Sequence, residues 1–436
     1  MPDHSARFVC AAFACLLLGS FSATEGLASD RPNILFILAD DVGREVLGCY
    51  GGTSYPTPHL NTLASAGARL DHFYVMPVCH PTRFTLLTGT YPRHAGSPKW
   101  GSFPKQLEEQ TFASIARNRG YETAVAGKWQ LGLLKNDLMQ PSRMGFDDWC
   151  LFGWHEGPRY HDPLIYQNGV KRLDTDGKFG PDMYVDFLVE FMQRCRATSK
   201  PFLAFYSMAL CHDVTNDLDR AVPHGPNGRY LRYAEMVEQM DAQVGKLMRF
   251  LESSGLEEKT IIFFLADNGT PARSKVASRN GRNEFVYEEV SSRMHGLSVP
   301  GGKGKLTDWG TRVPALVVWK GVIDSGEVWS DLLDCSDVLP TFAELIGAEP
   351  GSEGQRDGQS FASLVRGDGV GTRRWVYAEY KDVFFVKTRS RKLRSTGEFF
   401  NTEEDPFEQA PLSVEMLSGD DLLDWQILNR AIEEFR

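Results

Sequence analysis

The sequence predicts an α/β fold, a sheet covered by helices, and three observations carry that prediction. Continuous apolar runs of strand length at Asn33 to Ala39, Lys200 to Leu210, Thr260 to Ala266 and Pro314 to Trp319 read as strands buried on both faces. Between them lie segments whose apolar residues recur at helical spacing, such as Pro181 to Ala197 and Leu231 to Ser254. Charged and amide side chains gather where the apolar runs end, and open α/β sheets place ligands at the carboxyl ends of their strands.

Composition sets outer bounds. A chain of 436 residues with 42% hydrophobic content can bury one large core with a smaller appendage. A formal net charge of -10 argues against nucleic acid as the main partner. Phe8 to Leu18 is apolar but too short to span a bilayer, and small residues follow it. Residues 1–29 therefore read as a cleaved signal, with a periplasmic or extracellular mature protein and no stable membrane anchor. Cys49, Cys79, Cys150, Cys195, Cys211 and Cys335 lie beyond that segment and show no spacing of a zinc site or disulfide scaffold.

Taken in order, the first run ends in Asp40-Asp41, hard oxygen donors that suit Ca²⁺ or Mg²⁺; an Asp-Asp pair standing alone reads better as a capped, solvated turn. Thr57 to Gly67 has a cap, a proline at the first helical position and a terminal glycine, so a short helix is expected. Val78-Cys79-His80-Pro81-Thr82-Arg83 leads through an apolar run to Gly89 and reads as a loop feeding a helix, whose free N–H groups offer positive potential to an anion. Thr111 to Asn118 is a second capped helix, and Tyr121 to Gly132 a strand and loop carrying Lys128 and Gln130.

Further on, the run from Lys200 ends in Cys211-His212, and the run from Thr260 in Asp267-Asn268-Gly269, which parallels Asp40-Asp41. From Thr270 to Pro300 the chain is polar and reads as a long loop, either bordering the site against an anionic substrate or solvated and mobile. His94, His155, His161, His224 and His295 carry no assignment.

The stretch Cys79-x-Pro81-Thr82-Arg83-x-x-x-Leu87-Thr88-Gly89 resembles the signature of the type I, formylglycine-dependent sulfatases of the alkaline phosphatase superfamily. Arg31-Pro32-Asn33-Ile34 with Asp40-Asp41, Gly127-Lys128-Trp129, Asp267-Asn268-Gly269 and Gly301-Gly302-Lys303-Gly304 resemble further segments of that family. The resemblance implies an alkaline-phosphatase-like fold with a large central mixed sheet, a catalytic domain over 30–371, and a small C-terminal antiparallel sheet with a helix over 372–436. It implies that Cys79 is oxidised by a formylglycine-installing enzyme to an aldehyde whose hydrate is the nucleophile. Asp40, Asp41, Asp267 and Asn268, with the oxygen installed at position 79, would bind Ca²⁺, Mg²⁺ being the lesser candidate. Arg83, Lys128 and Lys303 would grip the sulfate, and His212 would protonate the leaving alcohol.

The sequence departs from the family at Gln130, where the family has a histidine that acts as a base. Glutamine hydrogen-bonds but takes no proton near neutral pH. Asp308-Trp309 also stands where the family has Glu-Gly, which reshapes that wall. The implied activity is hydrolysis of sulfate esters, with a sulfated carbohydrate the favoured substrate and aryl sulfates also open. A phosphate or phosphonate ester hydrolase and a sulfate-ester-binding protein without turnover stay open beside it.

Overall fold

A computed structural model describes residues 31–154, 156–213, 232–277, 285–349 and 356–435. The leader expected over 1–29, the start of a helix at Leu231, and His155, Val214, His224, Arg279, Arg282 and Glu284 lie outside the described residues. Residues from Pro32 onward form one compact unit. No helix among the described residues is long and apolar enough to cross a membrane.

The central strands are β1 (Asn33–Ala39), β2 (Ala68–Tyr74), β3 (Glu122–Gly127), β4 (Asp148–Phe152), β5 (Ile165–Gln167), β6 (Val170–Lys171), β7 (Phe202–Ser207) and β8 (Thr260–Ala266). Two hairpins follow, β9 (Arg273–Ala277) with β10 (Phe285–Glu289) and β11 (Ser291–Met294) with β12 (Leu297–Pro300). The sheet is completed by β13 (Ala315–Val318) and β14 (Glu327–Asp334). Its ten strands run β14-β2-β13-β8-β1-β7-β3-β4-β5-β6, parallel through β8-β1-β7-β3-β4 and antiparallel at β13 and β5, so it is mixed as expected.

β1, β7 and β8 are buried along their whole length, which is why their sequences are continuous rather than alternating. On one face Phe36 stacks on Phe205 at 4.9 Å and meets Phe342 edge-on at 5.4 Å, tying the sheet to the helix Val338–Leu345. The helix Gly180–Ala197 buries the expected stripe of Tyr184, Phe187, Leu188, Phe191, Met192 and Cys195. On the helix Tyr233–Ser254 the buried face starts with Tyr233 and Met236, while Ala234, one of the apolar residues at helical spacing in that span, is exposed.

The helix Pro58–Ser65 has the expected Pro at its start but is not capped by Thr57. Asp241, from the helix Tyr233–Ser254, accepts the N–H groups of His59 and Leu60 at 3.0 and 2.8 Å, so the cap is tertiary. Thr111 does cap its helix, accepting from Ser114 N–H at 3.1 Å.

The largest correction falls on 270–300, whose described residues form two antiparallel strand pairs rather than a loop. The turn of the second is His295-Gly296, both with positive φ (49° and 80°), the geometry of a two-residue hairpin turn that is usually Asn-Gly or Asp-Gly.

β15 (Val376–Tyr380), β16 (Val383–Lys387), β17 (Arg391–Arg394) and β18 (Phe399–Asn401) form the small antiparallel sheet, covered by the helix Gly419–Ile432. Phe435 beyond that helix stacks on Tyr377 at 4.1 Å and locks the appendage in place.

Candidate active site

β1 and β8 are parallel neighbours with Ala39 opposite Ala266, so the residues that follow, Asp40-Asp41 and Asp267-Asn268, leave the sheet side by side. Asp41 turns with a positive φ of 62°, and its N–H donates to Asp267 Oδ1 at 3.2 Å. Asn268 Nδ2 donates to Asp41 Oδ1 at 2.7 Å and to its neighbour's carbonyl, Gly269 O, at 2.9 Å. That leaves Asp40 Oδ1 and Asn268 Oδ1 buried without a hydrogen-bond partner.

Cys79 is the first residue of the helix Cys79–Thr88, which ends in the left-handed Gly89. The helix starts from an extended Val78 that supplies no side-chain cap. Cys79, Asp40 and Asp267 are all buried, with one potential ligand atom of each within 4.8 Å of the others. Arg83 lies one turn on, at i+4, and therefore shares the face of Cys79. It donates from Nε to Asp267 Oδ2 at 2.9 Å and from Nη1 to Ser207 Oγ.

Lys128 follows β3. Gly127 before it has a φ of 102°, and a Cβ there would stand 2.1 Å from Ser207 O, so only glycine permits this approach of β3 to β7. Lys128 N–H donates to Ser207 O at 2.7 Å, and its Nζ to Asp40 Oδ2 at 2.5 Å, both side chains fully buried. Lys303 Nζ donates to Asp41 Oδ2 at 2.7 Å, whereas Lys305 makes no such contact.

His212 lies beyond β7, after a cis peptide bond between Leu210 and Cys211. Its Nδ1 is 2.9 Å from Asp213 O and 3.4 Å from Arg159 Nη1, and its ring meets Trp154 edge-on at 5.9 Å. The Tyr160 hydroxyl donates to His212 O at 2.5 Å and fixes the backbone.

The electrostatics follow from this crowding. Burial works against ionisation of Asp40, but Lys128, His212, Arg83 and Lys303 outweigh it and hold that carboxyl below the usual range. Asp267 is raised instead, by burial and then by Asp40 beside it. Burial, with Lys303 adding to it, holds the His212 imidazolium well below its ordinary value. Lys303 is raised despite burial, because Asp41 faces it.

The fold thus gathers Asp40, Asp41, Cys79, Arg83, Lys128, Asp267, Asn268 and Lys303 around one point, with His212 at its edge. Gln130 is buried two residues from Lys128, with a positive φ of 60° and Oε1 lacking a hydrogen-bond partner. Three of the unassigned histidines do not join them: His94 bonds Asp357 at 2.7 Å, His161 packs on Phe179, and His295 forms the hairpin turn. Asp308 also points away, to Lys392 at 3.0 Å in the small sheet. The polar segment does reach the edge of the site, since Lys275 N–H on β9 donates to Asp213 Oδ2 at 2.9 Å.

Sequence reasoning missed Trp154 and Arg159. The Arg159 guanidinium lies over the Trp154 ring at 4.5 Å, and Lys128 Nζ is 5.3 Å from the same ring. Their signal was a tryptophan, two glycines, a proline and an arginine in the loop after β4.

The donor set suits a hard divalent cation: three buried aspartates and an amide oxygen, two of whose atoms have no protein partner.

The family model described as Sulfatase matches residues 32–348. Arylsulfatase A of Homo sapiens is 33% identical over 404 residues, spanning 84% of this chain and 75% of its own. Steryl-sulfatase of Mus musculus is 29% identical over 447 residues, with 82% and 69% covered. Among solved structures, Ps i-CgsB in complex with k-i-k-neocarrahexaose superposes with a TM-score of 0.72 at 23% identity, covering 93% of this chain and 92% of that one. A structure solved with its substrate D-glucosamine-2-N,6-O-disulfate gives 0.70 at 18% identity, covering 93% and 98%. At such identities these structures speak to the fold alone.

Proposed function

This chain belongs to the sulfatase family and is a sulfuric ester hydrolase, and on that premise we propose that it releases inorganic sulfate from sulfated carbohydrate, using formylglycine made from Cys79 and a bound Ca²⁺. The observation that carries the reading is the convergence of Cys79 with Asp40 and Asp267, ligand atoms within 4.8 Å, inside a ring of cations.

Asp40, Asp41, Asp267 and Asn268 would hold the metal, and a set this rich in oxygen favours Ca²⁺ over Mg²⁺. Once bound, the cation supplies Lewis acidity toward the ester oxygens. Formylglycine, installed by a separate enzyme, supplies as its hydrate an oxygen nucleophile with a second hydroxyl on the same carbon.

The remaining work falls to this chain's own side chains. Arg83, Lys128 and Lys303 set fixed positive charge around the sulfate and favour the charge that develops on it. Arg83 is anchored at both ends of its guanidinium, by Asp267 and Ser207, so it orients without moving. With Nδ1 held toward Asp213 O, the ring of His212 presents Nε2 as the atom that exchanges a proton with the leaving alcohol. Gln130 contributes hydrogen bonds to the bound ester but no proton transfer.

A carbohydrate substrate is favoured by the two similar structures solved with sugars bound, and by the Trp154 ring beside Lys128, an apolar face on which a sugar can pack. We further propose an exported protein whose residues 372–436 act as a subdomain bracing the catalytic domain of 30–371.

The test is release of sulfate and of phosphate from matched esters by the purified protein, with metal content measured alongside. Faster turnover of the phosphate ester would replace this reading with that of a phosphate or phosphonate ester hydrolase. Gln130 favours one further reading, a protein that stalls after one event, and a burst of one equivalent of alcohol without recycling would establish it.

A further inference from the structure

Away from that cluster, a second concentration of cations lines a cavity of about 490 Å³ between β2, the turn of the second hairpin and the small C-terminal sheet. Arg44, Arg69, Arg312, Arg389, His72 and Trp309 form its walls. The acids beside them are largely committed. Asp71 pairs with Arg69 at 3.0 Å, and Asp308 with Lys392 at 3.0 Å and the Tyr74 hydroxyl at 3.1 Å, leaving Arg312 at 3.8 Å. Glu403 is exposed at the rim.

Several donors are left over. Among the described residues Arg44 has no carboxylate and no side-chain hydrogen bond; its guanidinium only lies over the Trp309 ring at 5.9 Å, and its Nε is buried without a partner. Arg389 makes no side-chain contact of either kind among the described residues, and Trp309 Nε1 and His72 Nδ1 are likewise unpartnered. A half-buried arginine without an acid is costly unless an anion arrives to meet it. The surrounding field agrees: burial and then Arg312 bring Arg44 down to about 10, and burial with Asp308 opposing and Lys392 adding brings Lys387 down to about 7.

We propose that this cavity is a second anion site that takes a sulfate group, either free inorganic sulfate or a sulfate carried on a sugar. The volume exceeds what one ion fills and lies in the usual range for small-ligand pockets. The Trp309 backbone also packs on elements of the first site. A Cβ placed on Gly269 or on Gly302 would stand 2.0 Å from Trp309 O, so the strand end carrying Asn268 and the loop carrying Lys303 pack directly on the residue that walls the cavity. The free-ion source depends on no reading of the catalytic site, whereas the sugar-borne source rests on the sulfatase reading above.

The test uses the full-length protein. Crystals soaked in selenate should show an anomalous peak against Arg44, and equilibrium dialysis with labelled sulfate should count a binding equivalent beyond the one at residue 79. Arg44→Gln should abolish that equivalent, and Arg389→Ala, at an exposed position that tolerates change, should weaken it about tenfold, the worth of one charge-assisted hydrogen bond. If the natural occupant is sugar-borne, Arg389→Ala raises KM for a multiply sulfated oligosaccharide and leaves that for a small aryl sulfate unchanged; if it is free sulfate, both are unchanged while the labelled equivalent weakens. No selenate in the cavity, together with unaltered sulfate binding and unaltered oligosaccharide KM in Arg389→Ala, overturns the proposal whether or not the protein hydrolyses sulfate esters.

Discussion

Arg83 and Asp267 meet through a single oxygen. Arg83 Nε donates to Asp267 Oδ2 at 2.9 Å and Nη2 stands 2.8 Å from the same atom, while Oδ1 takes the N–H of Asp41 at 3.2 Å. The pair fixes the helix carrying Cys79 to the end of β8. Breaking a buried pair leaves an uncompensated charge, so Arg83→Gln is expected to cost about 3–5 kcal/mol of stability. Chemical denaturation measures it, and a loss below about 1 kcal/mol would mean the pair is not holding the helix.

Gln130 can be converted to the residue the family carries. A positive φ of 60° is better tolerated by histidine than by most side chains, so Gln130→His should fold. A base at that position is expected to raise kcat by about a hundredfold, the lower end of what general bases contribute. Steady-state sulfate release checks this, and an unchanged kcat would show that another group already moves the proton.

Metal should be visible in stability as well as in turnover. On the proposed reading Ca²⁺ would bind the native site and not the unfolded chain, so at about 100 times its dissociation constant it should stabilise by about 2.7 kcal/mol. Asp40→Asn and Asn268→Ala should lose the rise in Tm along with the activity. A Tm shift that persists in both variants would place the ion elsewhere.

His72 gives a pH dependence of known sign. Burial, with Arg312 and Lys387 adding to it, lowers its pKa from 6.5 to about 3 in the fold. Between those values the unfolded chain binds a proton that the folded one refuses, so this contribution to stability is complete above 6.5 and is lost as pH falls toward 3. His72→Gln should flatten the fall in Tm across that window, and an identical profile would show that His72 takes up its proton in the native state.

Much of this was legible because the central strands are buried on both faces, so their sequences are unbroken apolar runs that stop abruptly at Asp40 and Asp267. Their pairing then brings the two acidic ends together without further information. The hairpins of 270–300 were not legible, because they lie on the surface, where strand residues stay polar, and because His295-Gly296 does the work of a commoner turn pair. Trp154 and Arg159 were missed for a related reason. They come from a loop after β4, three strands from β1 in the sheet, and only the packing of Trp154 on Lys128 and His212 gives them a place at the site. The cap supplied by Asp241 is also set by packing rather than by neighbours in sequence.

The most direct test of the central claim is sulfate release from a sulfated ester by the wild-type protein beside Cys79→Ala. Alanine removes only the sulfur and suits a helix, so the variant should keep its fold, with a small fall in Tm from the vacated volume at this buried position. Multiple turnovers by the wild type, with none by the variant, are predicted. Turnover that survives in Cys79→Ala would contradict the account.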